Sequence, residues 1–387
     1  MNRRNFLRNS GLGSLPILTG LGSIPLQAKA KDPKLPTPVV NFSQDSAGYS
    51  TDEYISKLAE INKAHPIKRD AYGTGGVVEE LLQKFIQITG KEAAVFMPSG
   101  TLANQLAIHV LCAGNTKVFV QETSHVFRDE ADAAQSVFNK RLIPLAKGKH
   151  YFSAAELQEE AAYVKSGEYF KSPIGAVSIE NPVRRSYGKI VPLEEIKGIA
   201  AWCKKEGYKL HLDGARLHFA CTYAGVSVKE YASYFDTVYM CLYKYLGASS
   251  GAVLCGDKVI IDQMEHQIKI HGGAMYRNWT NAAIALSNLE GIDDRLKKSK
   301  EKADVLFSKL NEIPGIKVSA IPNGSNIFNL QLTGHDAETF VQTLWDKHVI
   351  GISLPQEDGF IKLHVNESIL LRDTEAIVRA FKSSALG

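Results

Sequence analysis

The chain has 387 residues, 44% hydrophobic and 22% charged, an ordinary globular composition with length for one large domain and a smaller one. Its formal net charge of +4 is matched by Arg3, Arg4, Arg8 and Lys29, which stand in a first segment without acids. The body is therefore neutral and carries no basic run, which argues against nucleic acid as a partner.

The opening segment, MNRRNFLRNSGLGSLPILTGLGSIPLQAKA, has a basic start, a moderately apolar stretch broken by Gly and Pro, and Ala28-Lys29-Ala30. This is the layout of an export signal with a small-residue cleavage site. RRNFLRN resembles a twin-arginine signal, whose pathway carries folded proteins. The apolar part is too short and too rich in Gly and Pro for a comfortable membrane span. Residues 1–30 are expected to be a cleaved leader that sends the protein to the periplasm, with no membrane attachment afterwards. Residues 31–42, beginning KDPKLPTP, read as an extended linker.

From Asn41 onward, apolar runs alternate with helical patterns. Strand-like runs are AAVFM, KVFVQ, RLIPLA, GAVSIE, YKLHLD, DTVYMCL and GAVLCG, and helix-like segments such as TLANQLAIHVLC, EEIKGIAAWCKKEG and VSVKEYASY lie between several of them. This spacing predicts an α/β fold with a mostly parallel sheet covered on both faces. Such sheets bind ligands at the carboxyl ends of their strands. A helical stretch over 278–310 is followed by VSAIP, NIFNLQL, GISLP and FIKLHV, which suggest a smaller α+β domain. The expected division is a large domain over 43–285 and a small one over 286–387.

Several chemically distinctive residues fall at the predicted strand ends. In EAAVFMPSGTLANQLAIHV, a strand, tight turn and helix place Ser99, Gly100 and Thr101 where free N–H groups and the helix dipole attract an anion. His125 follows the strand in VFVQETSHVF, and Asp213 closes YKLHLD just before Gly214, Ala215 and Arg216. Lys244, in CLYKYLGASSG, ends the next strand-like run among apolar, aromatic and small residues, a setting that suits a nucleophilic amine as well as a surface cation. Taken singly, a turn, an Asp-Gly pair and a lone histidine are more often structural. Together they describe a site for pyridoxal phosphate (PLP). The turn would hold the phosphate, the acid would face the pyridine nitrogen, the imidazole would stack on the ring and the amine would condense with the aldehyde. Five cysteines, odd in number and without CxxC spacing, give no thiolate zinc site, and no HExxH spacing marks a metallohydrolase, so no metal is expected.

HLDGARL, LYKYLGASSGAVLCG, GKEAAVFMPSGTLAN and RDAYGTGGVVEEL resemble, in order, successive blocks of the L-threonine aldolase / aromatic amino acid β-eliminating lyase family. The similarity runs from about Phe42 to Met275. It implies the aspartate aminotransferase type of fold (fold type I). It also implies that Lys244 carries the cofactor, Asp213 pairs with its ring nitrogen and His125 stacks on the ring. Ser99, Gly100 and Thr101 would hold the phosphate, and Arg216 would lie beside cofactor and substrate. Tyr72 matches a tyrosine that approaches an active site, the neighbouring subunit's by the resemblance, so a homodimer or homotetramer is implied.

Substrate recognition departs from the family pattern. Lys362 is the best match to a second arginine for the substrate carboxylate, but it lacks the two-pronged grip of a guanidinium. Gln44 stands where the family usually offers serine, and SKG is replaced by Tyr243-Lys244-Tyr245. A second active-site histidine is expected to fall near Tyr169 or Phe170. The resemblance implies a lyase that splits the Cα–Cβ bond of a β-hydroxy-α-amino acid, a small-molecule substrate, into glycine and an aldehyde. A β-eliminating lyase with the same cofactor, or an exported protein that binds PLP or an amino acid without turnover, are the alternatives.

Overall fold

The computed structural model describes residues 38–385. The expected leader and most of the linker lie outside the described residues. The linker's last residues form a short strand, β1 (Val40–Asn41). The central sheet has seven strands: β2 (Ala93–Met97), β3 (Lys117–Gln121), β4 (Arg141–Leu145), β5 (Ile174–Glu180), β6 (Lys209–Asp213), β7 (Thr237–Cys241) and β8 (Ala252–Gly256). Their order is β2-β8-β7-β6-β5-β3-β4. β8 runs against both of its neighbours, and the other pairs are parallel.

Alternation along the strands divides the side chains between two cores. Phe119, Leu210, Leu212, Val238 and Met240 join the cluster on one face. Val118, Val120, Tyr239, Cys241 and Leu254 join the cluster on the other. A sheet buried on both faces needs apolar residues at consecutive positions, which is why these strands read as unbroken apolar runs.

The C-terminal part adds β9 (Ile316–Ala320), β10 (Ile327–Leu332), β11 (Ile350–Gly351) and β12 (Ile361–His364). β9, β10 and β12 form an antiparallel sheet, and β1 pairs with β11 in parallel. Val40 and Phe42 therefore belong to the C-terminal core and not to a linker. The expected break at 285 also moves. The 278–310 stretch is two helices, Trp279–Leu289 and Ile292–Leu310, separated at Gly291, whose φ of 64° lies in the left-handed region. Ile292 and Leu296 pack on the first core, whereas Ala303, Leu306, Phe307 and Leu310 pack on the C-terminal one. One continuous helix passes between the two, so no change of composition marks the boundary. No described helix is long and apolar enough to cross a membrane. All five cysteines are free and buried.

Candidate active site

Asp213 ends β6 and stands opposite Tyr239 of β7, so the acid and the Lys244 turn share one end of neighbouring parallel strands. β7 stops at Cys241, and Lys244 sits in the connection to β8. That loop is closed by Leu242 N–H to Gly251 O (3.1 Å), Ala248 N–H to Leu242 O (3.0 Å) and Gly247 N–H to Lys244 O (3.3 Å). Gly247 has φ 67°, and a Cβ there would press on Tyr49 and Asn288, so the turn requires glycine. The Lys244 ammonium lies over the Tyr243 ring, 5.5 Å from its centroid. Tyr243 is 45% exposed, whereas Tyr245 turns inward against His218 and Phe219 and is a packing residue.

Ser99 caps the 13-residue helix Gly100–Cys112, accepting from Leu102 N–H at 3.2 Å. The two N–H groups before it, of Gly100 and Thr101, have no acceptor within the helix and face its amino end. Gly100 is buried, and a Cβ there would overlap the Tyr239 hydroxyl, with Cζ only 2.5 Å away. The helix end is thus seated directly on β7, one strand from Asp213.

The same helix carries Asn104, wholly buried in its middle. Its Nδ2 donates to Asp213 Oδ2 (2.9 Å) and to Glu130 Oε1 (2.7 Å), while its Oδ1 meets His211 Nε2 at 3.0 Å. His211 Nδ1 pairs with the Thr237 hydroxyl at 2.8 Å. Burial pushes the His211 pKa down to about 4, so this imidazole is neutral at pH 7. Asp213 Oδ1 accepts from Ala215 N–H at 3.1 Å. The acid is held at both oxygens.

His125 starts the turn after β3, with a side chain 31% exposed. Its backbone N–H donates to Glu180 Oε2 (2.6 Å) and its Nδ1 meets Glu130 Oε1 at 2.8 Å. Burial lowers the His125 pKa, but the Glu130 hydrogen bond and the charges of Asp213, Glu130 and Glu180 outweigh it, and the net shift is upward. Glu180, at the end of β5 opposite Asp213, is pushed up to about 7 by burial and by the Asp213 charge. His125, Glu130 and Asp213 lie close enough together to ligate a cation. Their oxygens already accept N–H groups from Asn104 and Ala215, and His125 Nδ1 meets Glu130 Oε1, so the cluster is a hydrogen-bond network.

Arg216 is gripped by Asp45, with Nε 3.0 Å from both carboxylate oxygens and a terminal nitrogen 2.9 Å from Oδ2. Burial alone would raise the Asp45 pKa, but Arg216, then His364 and Lys244, hold it below the usual carboxylate range. A strap after β1 brings Asp45 here: His364 N–H donates to Phe42 O (2.7 Å), Asn366 Nδ2 to Gln44 O (2.8 Å) and the Ser46 hydroxyl to Lys244 O (3.3 Å).

Lys244, Asp213 and Ser99–Thr101 thus stand at one end of the sheet, with Arg216 on the turn after Asp213 and His125 tied to the Asn104 network. Gln44 and Lys362 are placed differently, and Tyr72 lies on the surface of the chain. Gln44 is exposed and contributes its backbone carbonyl, while its neighbour Asp45 faces Arg216. The Lys362 ammonium is committed to Asn329 Oδ1 (2.7 Å) and Asp358 Oδ2 (2.5 Å), between the rings of Tyr187 and Phe360. His364, two residues along the same strand, takes the position beside Asp45 and Arg216. Tyr72 is 56% exposed and stacks edge-on against Tyr276 at 5.3 Å, under Lys269. Tyr169 and Phe170 are almost wholly exposed at the opposite edge, beside the Glu168 that pairs with Lys117 at the start of β3. No second site histidine lies there. No motif in the sequence assigned a role to Asp45, Asn104, Glu130, Glu180 or His211. The one available signal was an asparagine in the apolar stripe formed with Ala103, Ala107, Ile108 and Leu111.

This donor set fits PLP: a lysine amine, a carboxylate held for a ring nitrogen, an imidazole, and a capped helix end with free N–H groups. Sheet topology and site together define a PLP-dependent enzyme of fold type I. A family model described as beta-eliminating lyase matches residues 41–332, and the chain belongs to that family, whose members are PLP-dependent lyases. It is similar to a low-specificity L-threonine aldolase of Candida albicans, 33% identical over 64% of this chain and 66% of that protein. It is also similar to a probable low-specificity L-threonine aldolase of Schizosaccharomyces pombe, 30% identical over 75% of each. The chain thus spans about two thirds to three quarters of these relatives' length. A putative L-allo-threonine aldolase from Listeria monocytogenes shares the fold, with TM-score 0.73, 24% identity and coverage of 90% of this chain and 96% of that one.

Proposed function

We propose that this protein is a PLP-dependent lyase that splits the Cα–Cβ bond of a β-hydroxy-α-amino acid, giving glycine and an aldehyde. The observation that carries the reading is the meeting of Lys244, Asp213 and the Ser99-capped helix at one end of the sheet, with His125 joined to Asp213 through Glu130 and Asn104. The similarity to proteins named as threonine aldolases supports the same reaction.

When bound, the cofactor supplies a sink for the electron pair left when a bond to the substrate α-carbon breaks. Each residue of the chain then has a definite task. Lys244 would hold the cofactor through its amine. Asp213, fixed by Asn104 and Ala215, keeps a ring nitrogen protonated by offering it a carboxylate. The free N–H groups of Gly100 and Thr101, with the Ser99 hydroxyl, receive a phosphate. Arg216, oriented by Asp45, presents positive charge to a substrate carboxylate, the role expected of Lys362 from sequence.

Incubation with threonine, allo-threonine and phenylserine, followed by assay of glycine, tests the proposal. Glycine from at least one is expected, and none from any of them refutes it. β-Elimination is the second reading, favoured by the description of the matching family. Pyruvate without glycine would establish it.

Two finer readings accompany this one. Residues 1–30 act as a twin-arginine export leader, supported by their basic start and Ala28-Lys29-Ala30. A leaderless variant should stay in the cytoplasm, and its appearance outside the inner membrane would refute the routing. The exposed Tyr72, Met275 and Tyr276 support a second copy of the chain as partner. Light scattering should then give a dimer or tetramer mass, and a monomer would refute it.

A further inference from the structure

Glu130 lies in no motif that marked the site, yet it touches both of the site's polar arms. Its Oε1 is shared by Asn104 Nδ2 and His125 Nδ1, while its Oε2 is buried with no partner. Protons along this chain can be assigned from one end. Asn104 turns its Nδ2 toward the Asp213 and Glu130 carboxylates, which accept, so its Oδ1 is the atom facing His211. Neutral His211 therefore carries its proton on Nε2, donates it to Asn104 Oδ1, and accepts from the Thr237 hydroxyl at Nδ1. Glu130 Oε1 consequently accepts from Asn104. As a carboxylate it has no proton to give, so it meets His125 Nδ1 at 2.8 Å as an acceptor again.

We propose that Glu130 is a positioning residue that fixes His125 in the tautomer protonated at Nδ1, leaving Nε2 as a proton acceptor on the exposed side of the ring. Free imidazole has no such constraint, and a backbone-anchored histidine with the opposite tautomer would present a donor there. The fixed tautomer gives the lyase a base for a substrate hydroxyl, or for a water next to it, that is ready before substrate arrives. This catalytic use rests on the proposed lyase reading, whereas the tautomer is a property of the chain alone.

The charged groups around His125 are Glu130 and Glu180 on its two flanks, Asp213 across Asn104, and Asp129, which is neutralised in turn by Arg184 and Arg185. Hydrogen bonding and charge make separable contributions, because a glutamine at 130 can keep an oxygen at the Oε1 position and place its NH2 where Oε2 has no partner. A leucine removes both.

The test is ¹⁵N NMR of histidine-labelled full-length holoenzyme, with the His125 signals assigned by their loss in His125→Gln. The wild type should show a single neutral form with Nδ1 protonated and Nε2 bare. Glu130→Gln should keep that form while its protonation midpoint falls, since a charge that favoured the cation is gone. Glu130→Leu should lose the preference and lower kcat about 100-fold with little change in KM. Nε2 protonation or a mixed tautomer in the wild type would overturn the proposal, as would an unchanged tautomer in Glu130→Leu. If Glu130→Leu fails to fold, the wild type and Glu130→Gln spectra decide alone. A single Nδ1-protonated form in a protein that releases no glycine would refute the aldolase reading and leave this inference standing.

Discussion

Replacing Asn104 with leucine tests whether the buried network holds the site together. The side chains are similar in volume and the position is wholly buried, so the change deletes hydrogen bonds with little change in packing. Three partners each lose one bond: Asp213 keeps Ala215 N–H, Glu130 keeps His125, and His211 keeps Thr237. At roughly 1 to 2 kcal/mol for each group left short of a partner, the loss is about 4 kcal/mol. Leucine's extra apolar burial returns about 1 kcal/mol, leaving a net loss of about 3 kcal/mol. Urea unfolding of cofactor-free proteins measures this without a binding contribution. Asn104→Leu, His211→Leu and the double variant form a cycle, in which a coupling of at least about 1 kcal/mol is expected. A net loss below about 1 kcal/mol, or additive single effects, would refute the network as drawn.

Three further outcomes follow from the same geometry. Gly100→Ala should destabilise by about 1 to 3 kcal/mol and weaken PLP binding, because its methyl overlaps Tyr239; unchanged melting and unchanged spectral titration would contradict the seating of the helix end. Glu180, with its folded pKa near 7, stabilises the fold while protonated, an effect complete below about pH 4.3 and lost as pH rises through 7. Unfolding free energy should therefore fall less steeply across that window in Glu180→Gln than in the wild type, and equal slopes would contradict the assignment. Lys362→Met should leave KM for the amino acid within about twofold, since burying an apolar chain in place of an ion pair is often neutral, whereas Arg216→Lys should raise KM about tenfold through loss of the forked grip; the reverse ranking would return the substrate carboxylate to Lys362.

The sheet was legible because burial on both faces writes itself as consecutive apolar residues, as in Val118, Phe119 and Val120, within a βα alternation. Asp213 and the Lys244 turn were legible because strand ends are where such sheets carry chemistry, and Ser99 because a cap followed by an apolar helix has a local signature. The reversed direction of β8 was not, since an apolar run has the same pattern in either direction. Nor were the pairings at long range: Asp45 meets Arg216 across 171 residues of sequence, brought there by β1 docking on β11. Gln44 and Lys362 were inferred from resemblance in regions where the chain departs from the family pattern; Gln44 is exposed beside the Asp45 that meets Arg216, and Lys362 is paired with Asn329 and Asp358. Asn104 and Glu130 were hidden for another reason. A single polar residue on an apolar helix reads as tolerance until its buried partners are known.

The most direct measurement is borohydride reduction of the holoenzyme followed by peptide mass mapping. One pyridoxyl group on the peptide containing Lys244, absent in Lys244→Ala, is the predicted result. Label on any other lysine, or no label with PLP present, would contradict the assignment of this turn as the cofactor's anchor.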